Sequence, residues 1–342
     1  MLRSLVGSEM CIRDRINNRR RLLRVVAIGA GTLIAPFSLS AAQESSKLYD
    51  WHGRALGAEA SIQLYSDDRN KAEEILANIQ KIISKYEVMF SLYDEESLVS
   101  QLNKFGNLSN PSPDFVRLVM LSKKFSQITN GSFDISVQPL WNVYKNHFNG
   151  EVPGALREKV IAVLGNIGSN KISLGQDYVS FDNDNMAVSF NGIAQGYITD
   201  KVSEYLSGQG FKHVLVDIGE YRANGPQKNG EPWRVGLLDP FDQVSIADVV
   251  EMKGSALATS GGYGNNFDAS GQYHHLFNPQ TGLSSKLYAS VTVQASSATT
   301  ADALSTAFSN MTQSSIKKTL SQLSDVQVRL TDQNGIIHKL QA

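Results

Sequence analysis

Cysteine is almost absent from this chain of 342 residues. Its one cysteine, Cys11, lies within residues 1–15, which fit neither a helix nor a strand pattern and read as upstream sequence outside the fold. The body of the chain therefore has no disulfide, no thiolate metal site, no cysteine nucleophile and no lipid-modified cysteine. An excess of positive charge is also missing. The whole chain carries 32 basic and 33 acidic residues. Setting aside residues 1–42, with seven arginines and two acids, leaves 25 basic against 31 acidic residues, a net charge of −6. With no basic stripe as well, nucleic-acid binding has no electrostatic footing. Past residue 42 no apolar run approaches the roughly 20 residues of a spanning helix, and there is no internal repeat or low-complexity tract. What remains, residues 43–342, is ample for one large core and is expected to form a single domain.

The first 42 residues have an order of their own. Asn17-Asn-Arg-Arg-Arg-Leu-Leu23 precedes the apolar run 25–37, and small residues at Ser40 and Ala42 suit cleavage before Gln43. Basic, apolar and small-residue regions in that order are expected to be an export signal. Adjacent arginines before Leu22-Leu23 resemble the twin-arginine type, with an ordinary secretory signal as the alternative. Either route predicts a periplasmic location.

Beyond it, strands and helices come in separate blocks. Residues 60–65 alternate as a strand, and 69–89 carry apolar residues at helical spacing. Ser112-Pro113-Asp114 opens a helix predicted to stop near Asn130-Gly131. Segments 171–174, 178–181 and 186–190 read as a strand meander, and a helix is expected over 194–206. Further strands are expected at 213–218, 233–238, 248–252, 290–295, 326–330 and 335–339. Short turns between most strands predict an α+β fold with a largely antiparallel sheet and packed helices.

After the strand at 290–295, Thr299-Thr-Ala-Asp-Ala-Leu-Ser-Thr306 opens a helix in which Asp302 and Thr306 share one face. A carboxylate and a hydroxyl one turn apart can ligate a hard cation such as magnesium. The same residues also fit a helix start, with Thr299-x-x-Asp302 close to a capping box. Gly192 and Gly196 flank another helix start, whose free N–H groups can receive an anion, or which is simply a tight turn. Arg222 can pair with a phosphate or with an acid, and His275 can shuttle protons or pack in place.

Taken together the motifs resemble one family. They are the serine- and tyrosine-bearing segment 90–103, Phe133-Asp134 with Pro139-Leu140, and Asn191-Gly-Ile-Ala-Gln-Gly-Tyr197. With them stand Trp233-Arg-Val-Gly-Leu-Leu-Asp-Pro240, Ala258-Thr-Ser-Gly261, His275-Leu-Phe-Asn-Pro-Gln-Thr-Gly282 and Thr300-Ala-Asp-Ala-Leu-Ser-Thr306. In this order, from about Gly57 to Met311, they resemble the ApbE-type FAD:protein FMN transferases. The resemblance implies an ApbE-type fold and a magnesium-dependent enzyme. It would take FMN from FAD to a Thr or Ser hydroxyl of a partner flavoprotein, a subunit of a membrane redox complex, and release AMP. By matching positions, Asp302, Thr306, Ser305 and the Gly192 carbonyl would hold Mg2+. Tyr93, Ser132, Phe133, Asp134, Ser189, Gln195 and Leu276 would contact FAD, Tyr93 and Phe133 by stacking on its rings. His275 would take the acceptor proton, and Asp302 would act through the metal.

This chain departs from the family at three places. Ser189 stands where many members have Asp, Gln195 where many have Lys, and Gly219-Glu220 where Gly-Gly is usual. The Asn-Gly-Ile-Ala-Gln-Gly version resembles a subgroup that accompanies nitrous-oxide-reduction and related respiratory flavoproteins. Two other functions fit the same residues: an FAD pyrophosphatase giving FMN and AMP, and a non-catalytic periplasmic flavin-binding protein.

Overall fold

In a computed structural model, residues 47–150 and 155–342 are described. The expected export signal in residues 1–42 lies outside them. Strand β1 (Lys47–Ala55) turns back on β2 (Ala58–Ser66) to start an eight-stranded sheet. Helix α1 (Arg69–Phe90) follows, capped by the Asp68 carboxylate, which accepts from Lys71 N–H. Its buried stripe Ala72, Ile75, Leu76, Ile79, Ile83 and Tyr86 keeps the expected helical period. Next come α2 (Leu98–Phe105), the short β3 (Asn107–Ser109) and α3 (Pro113–Ile128), which starts on a Ser112 cap with proline in its first turn. Helices α4 (Gln138–Phe148) and α5 (Leu156–Leu164) form an outlying pair around Leu140, Tyr144 and Val160.

The second half supplies β4 (Ile172–Leu174), β5 (Tyr178–Phe181), α6 (Ala194–Gly208), β6 (Val214–Asp217) and β7 (Tyr221–Asn224). Then follow β8 (Trp233–Leu238), β9 (Ile246–Met252), β10 (Ala256–Gly261), β11 (Ser290–Ala295) and α7 (Ala298–Phe308). Helix α8 (Gln313–Leu320), β12 (Gln327–Thr331) and β13 (Ile337–Gln341) end the fold. The main sheet has the order β1-β2-β6-β7-β10-β11-β12-β13 and is antiparallel throughout. The α+β expectation holds.

Strand alternation splits the core in two. Val214, Val216 and Ile218 face the helices, while Leu215 joins Trp233, Val235 and Met252 of the β8–β9 ribbon on the other side. Helices α6 and α7 cross each other on the helix-bearing side. Gly196 makes that crossing possible, because a Cβ there would lie 2.4 Å from the Ala298 carbonyl oxygen.

One expected strand is not one. Residues 186–190 join no ladder. The side chain of Asn103 does the pairing instead: its Nδ2 donates to Val188 O at 2.8 Å and its Oδ1 accepts from Val188 N–H at 2.7 Å. The third strand of the small sheet is β3, beside β5.

Candidate active site

Asp302 and Thr306 do share one face of α7, and they sit where α6, α7 and the end of β10 converge. The cap of α7 is not Thr299, however. Ser297 caps it, accepting from Thr300 N–H. Asp302, one turn further on and buried, accepts instead from Gly196 N–H of α6 at 3.0 Å. The favour is returned: Asp200 of α6 accepts from Ala298 N–H at 2.8 Å and Thr299 N–H at 2.9 Å. Each helix start is thus met by a carboxylate from the other, the favourable sense of the helix dipole.

At the expected anion site, the start of α6, three N–H groups are already engaged. Ile193 and Ala194 N–H bond to Phe190 O, and Gly196 N–H is held by Asp302. Of the two partners expected for Arg222, an acid is the one found: its Nη1 reaches Asp200 at 2.6 Å and Ser296 O at 3.0 Å.

The hydroxyls of α7 form a chain. Ser305 Oγ donates to Asp302 O at 3.0 Å, which leaves Ser260 Oγ–H of β10 to donate to Ser305 Oγ at 2.7 Å. Ser260 Oγ also lies 3.4 Å from Thr306 Oγ1. Gly192 completes the group, since a Cβ on it would sit 3.0 Å from Thr306 Oγ1 and 3.5 Å from the Phe133 ring. One carboxylate, hydroxyls and a nearby backbone carbonyl make an all-oxygen donor set, which suits magnesium. Among the described residues no group of three His, Cys, Asp or Glu could hold a metal. Burial pushes the Asp302 carboxyl up to about 7, against the pull of the Gly196 N–H and with a further push from the Asp200 charge. A bound divalent cation offsets that penalty.

The other expected residues divide. His275 donates its backbone N–H to Asn265 O at 3.1 Å and holds Nδ1 3.3 Å from the same oxygen. Because a carbonyl only accepts, Nδ1 carries a ring proton. Asn265 follows Ser260 by five residues, so the histidine is tied to the loop that leaves the hydroxyl chain. Its neighbour His274 is buried, with Nε2 2.7 Å from Ser285 O, and burial lowers its pKa. Leu276 is buried beneath it, and its N–H donates to His274 Nδ1 at 3.3 Å. Ser132 and Ser189 are half-buried, and Ser189 N–H donates to Ile135 O at 2.7 Å. Gln195 packs its amide over Gly219. Tyr93 is 72% exposed on the turn before α2, as a stacking ring requires.

Two expected contacts are already engaged within the protein. Phe133 is only 3% exposed, packs at a steep angle on Phe125 and lies against Gly192. The Asp134 carboxylate is spent on Ser136 N–H, Ser136 Oγ–H and Ser169 N–H, at 2.6–2.8 Å, and braces its own loop. The residue that went unnamed as a ligand neighbour is Ser260. Its only signal was membership of the Ala258-Thr-Ser-Gly261 block.

The sequence pattern of the ApbE family matches residues 56–330. An FAD:protein FMN transferase of Vibrio cholerae is 29% identical over 249 residues, covering 69% of this chain and 72% of the relative. One of Escherichia coli K12 is 26% identical over 268 residues, covering 74% and 76%. The crystal structure of the Thermotoga maritima ApbE protein superposes with a TM-score of 0.77 at 27% identity, covering 86% of this chain and 97% of that one. The apo flavinyl transferase ApbE of Pseudomonas stutzeri gives 0.72 at 27% identity, covering 86% and 96%. With the pattern spanning most of its length, this chain belongs to the ApbE family.

Proposed function

We propose that this protein transfers FMN from FAD to a Thr or Ser hydroxyl of a partner flavoprotein, with Mg2+, releasing AMP. The observation that carries this reading is that Asp302, Ser305 and Thr306 follow one another on α7, with Thr306 against Gly192 and Ser305 on Ser260. Asp302, Thr306, Ser305 and the Gly192 carbonyl would hold magnesium. When bound, the ion supplies positive charge against the pyrophosphate oxygens. The Nε2 lone pair of His275 takes the proton of the incoming hydroxyl. The hydroxyl oxygen forms a bond to the FMN phosphorus as the pyrophosphate P–O bond breaks, and AMP leaves with that oxygen. Tyr93, exposed and flat, is suited to stack on a flavin or adenine ring. Buried Leu276, with Ser132, Ser189 and Gln195, would shape the remaining FAD contacts.

We further propose that the reaction takes place in the periplasm and that the acceptor is a subunit of a membrane redox complex. The order of arginines, apolar run and small residues in the first 42 positions supports the location. No helix among the described residues is long and apolar enough to cross a membrane. The test is the intact mass of a candidate acceptor domain after incubation with the protein, FAD and Mg2+. A gain of one FMN less water, lost in Asp302→Asn, is expected. FMN and AMP in solution beside an unmodified acceptor would point to the pyrophosphatase, and FAD bound but uncleaved to the carrier.

A further inference from the structure

The proposed chemistry gives no part to His274, the residue before the proposed base. Of the histidines among the described residues it alone is buried. Its backbone bridges to Asn266 on one side. On the other, Ser284 Oγ accepts from its N–H at 2.9 Å and donates to its carbonyl at 2.7 Å. The ring is engaged at both nitrogens. Nε2 lies 2.7 Å from Ser285 O, and Nδ1 accepts from Leu276 N–H at 3.3 Å. A carbonyl only accepts and an amide N–H only donates, so the proton is on Nε2 and the lone pair on Nδ1. The ring is therefore neutral and in one tautomer. Its seat depends on Gly262, two residues past Ser260, where a Cβ would lie 2.7 Å from the ring Cδ2 and 2.8 Å from Nε2.

The bond between Leu276 N–H and His274 Nδ1 spans His275. It ties the residue before the proposed base to the residue after it and so restricts the backbone between them. The backbone groups of His275 are held too. Its N–H donates to Asn265 O at 3.1 Å, and its carbonyl accepts from Phe277 N–H at 3.0 Å. Ser285, partner of the other ring nitrogen, is itself fixed. Its N–H donates to Leu276 O at 2.8 Å, and its hydroxyl donates to Ser309 O at the end of α7. Beside it, Asn310 Nδ2 donates to Phe277 O at 2.8 Å. The loop bearing His275 is thus fastened to the helix bearing Asp302 and Thr306, and the His274 ring carries that fastening across His275.

We propose that His274 is a positioning residue, whose ring holds the His275 imidazole toward the hydroxyl it deprotonates. The inference rests on the reading of His275 as the base and deepens it. A misplacement of about 1 Å at a reacting group can cost roughly a hundredfold in rate, so small slack in this loop is expected to show in kcat.

The experiment compares two amides at position 274 in the full chain, with FAD, Mg2+ and the acceptor domain. His274→Asn keeps an acceptor at the place of Nδ1 for Leu276 N–H. His274→Gln keeps a donor for Ser285 O but removes that acceptor. At least a tenfold fall in kcat is expected for His274→Gln, larger than any change in KM for FAD, with His274→Asn within threefold of the unmodified chain. A packing role predicts the reverse, because glutamine is closer to histidine in size. NMR of the chain labelled with 15N-histidine gives a reading without turnover. The Nδ1–H signal of His275 should persist in His274→Asn and give way to mixed tautomers in His274→Gln. Equal losses in the two variants, a greater loss in His274→Asn, or an unaltered His275 signal in His274→Gln overturns the role of His274 and leaves His275 as the base. His275→Ala as active as the unmodified chain overturns the base and the inference with it.

Discussion

Replacing Asp200 by alanine should unfold this protein more readily than almost any other single change on α6. Asp200 is 6% exposed, and its carboxylate serves four donors. Two are the first N–H groups of α7, at 2.8 and 2.9 Å, one is the Thr299 hydroxyl at 2.6 Å, and one is Arg222 Nη1 at 2.6 Å. Losing a helix cap costs about 1–2 kcal/mol. Stranding the partner of a buried ion pair costs about 3–5 kcal/mol. Arg222 would keep only Ser296 O, and its Nε already has no partner. These terms share one carboxylate and do not add fully, so the expected loss is about 4 kcal/mol, a large part of the roughly 5–15 kcal/mol a domain has. Urea unfolding followed by circular dichroism measures it. Asp200→Asn, which can still accept from one or two donors, should lose less. A double-mutant cycle with Arg222→Ala should show a coupling of about 1–3 kcal/mol. A loss under about 1 kcal/mol for Asp200→Ala, the value of an exposed ion pair, would refute the reciprocal capping of α6 and α7.

Asp217 predicts a pH effect. Burial pushes its carboxyl up to about 7, opposed by the Tyr221 hydroxyl and Gly219 N–H. The folded chain holds that proton more tightly than the unfolded one, whose carboxyl titrates near 3.9. Its contribution is therefore whole below about pH 4 and is lost as pH rises through 7. Asp217→Asn should be more stable than the unmodified chain at pH 8 and equal to it at pH 3.5, by unfolding midpoints; the reverse order would contradict the assignment. Gly196→Ala drives a Cβ to 2.4 Å from Ala298 O and 2.8 Å from Asp302 Cβ. It should cost about 1–3 kcal/mol, and an unshifted urea midpoint would mean that α6 and α7 cross less closely. Ser260→Ala removes the donor to Ser305, a bond worth about 1 kcal/mol. More Mg2+ should then be needed for half-maximal FAD cleavage, with Tm lowered by about 2–4 °C, and an unaltered Mg2+ requirement would detach Ser260 from the site.

Much of this was legible in the chain itself where structure is local. The stripe of α1, the Ser112-Pro113 start of α3 and the shared face of Asp302 and Thr306 all follow from a 3.6-residue period. Strands β7 and β10 were not seen. Tyr221-Arg-Ala-Asn224 is too short to show alternation, and Ala256-Leu-Ala-Thr-Ser-Gly261 is too small-sided to signal its buried face. Residues 186–190 deceived because an alternating segment can be paired by one asparagine side chain instead of a strand. In the site, helical spacing could gather only the residues of α7. Ser260 reaches Ser305 across 45 positions and Asp200 reaches Thr299 across 99, distances over which periodicity carries no information. No spacing in the sequence shows that Phe133 packs against Gly192 while Asp134 braces its own loop.

The most direct measurement is the ratio of flavin covalently bound to the acceptor to AMP released, taken as the reaction proceeds with FAD and Mg2+. Transfer through Asp302, Thr306 and His275 predicts one bound FMN for each AMP, and neither product from Asp302→Asn. AMP accumulating with free FMN and an unlabelled acceptor, or labelling that persists in Asp302→Asn, would contradict the account.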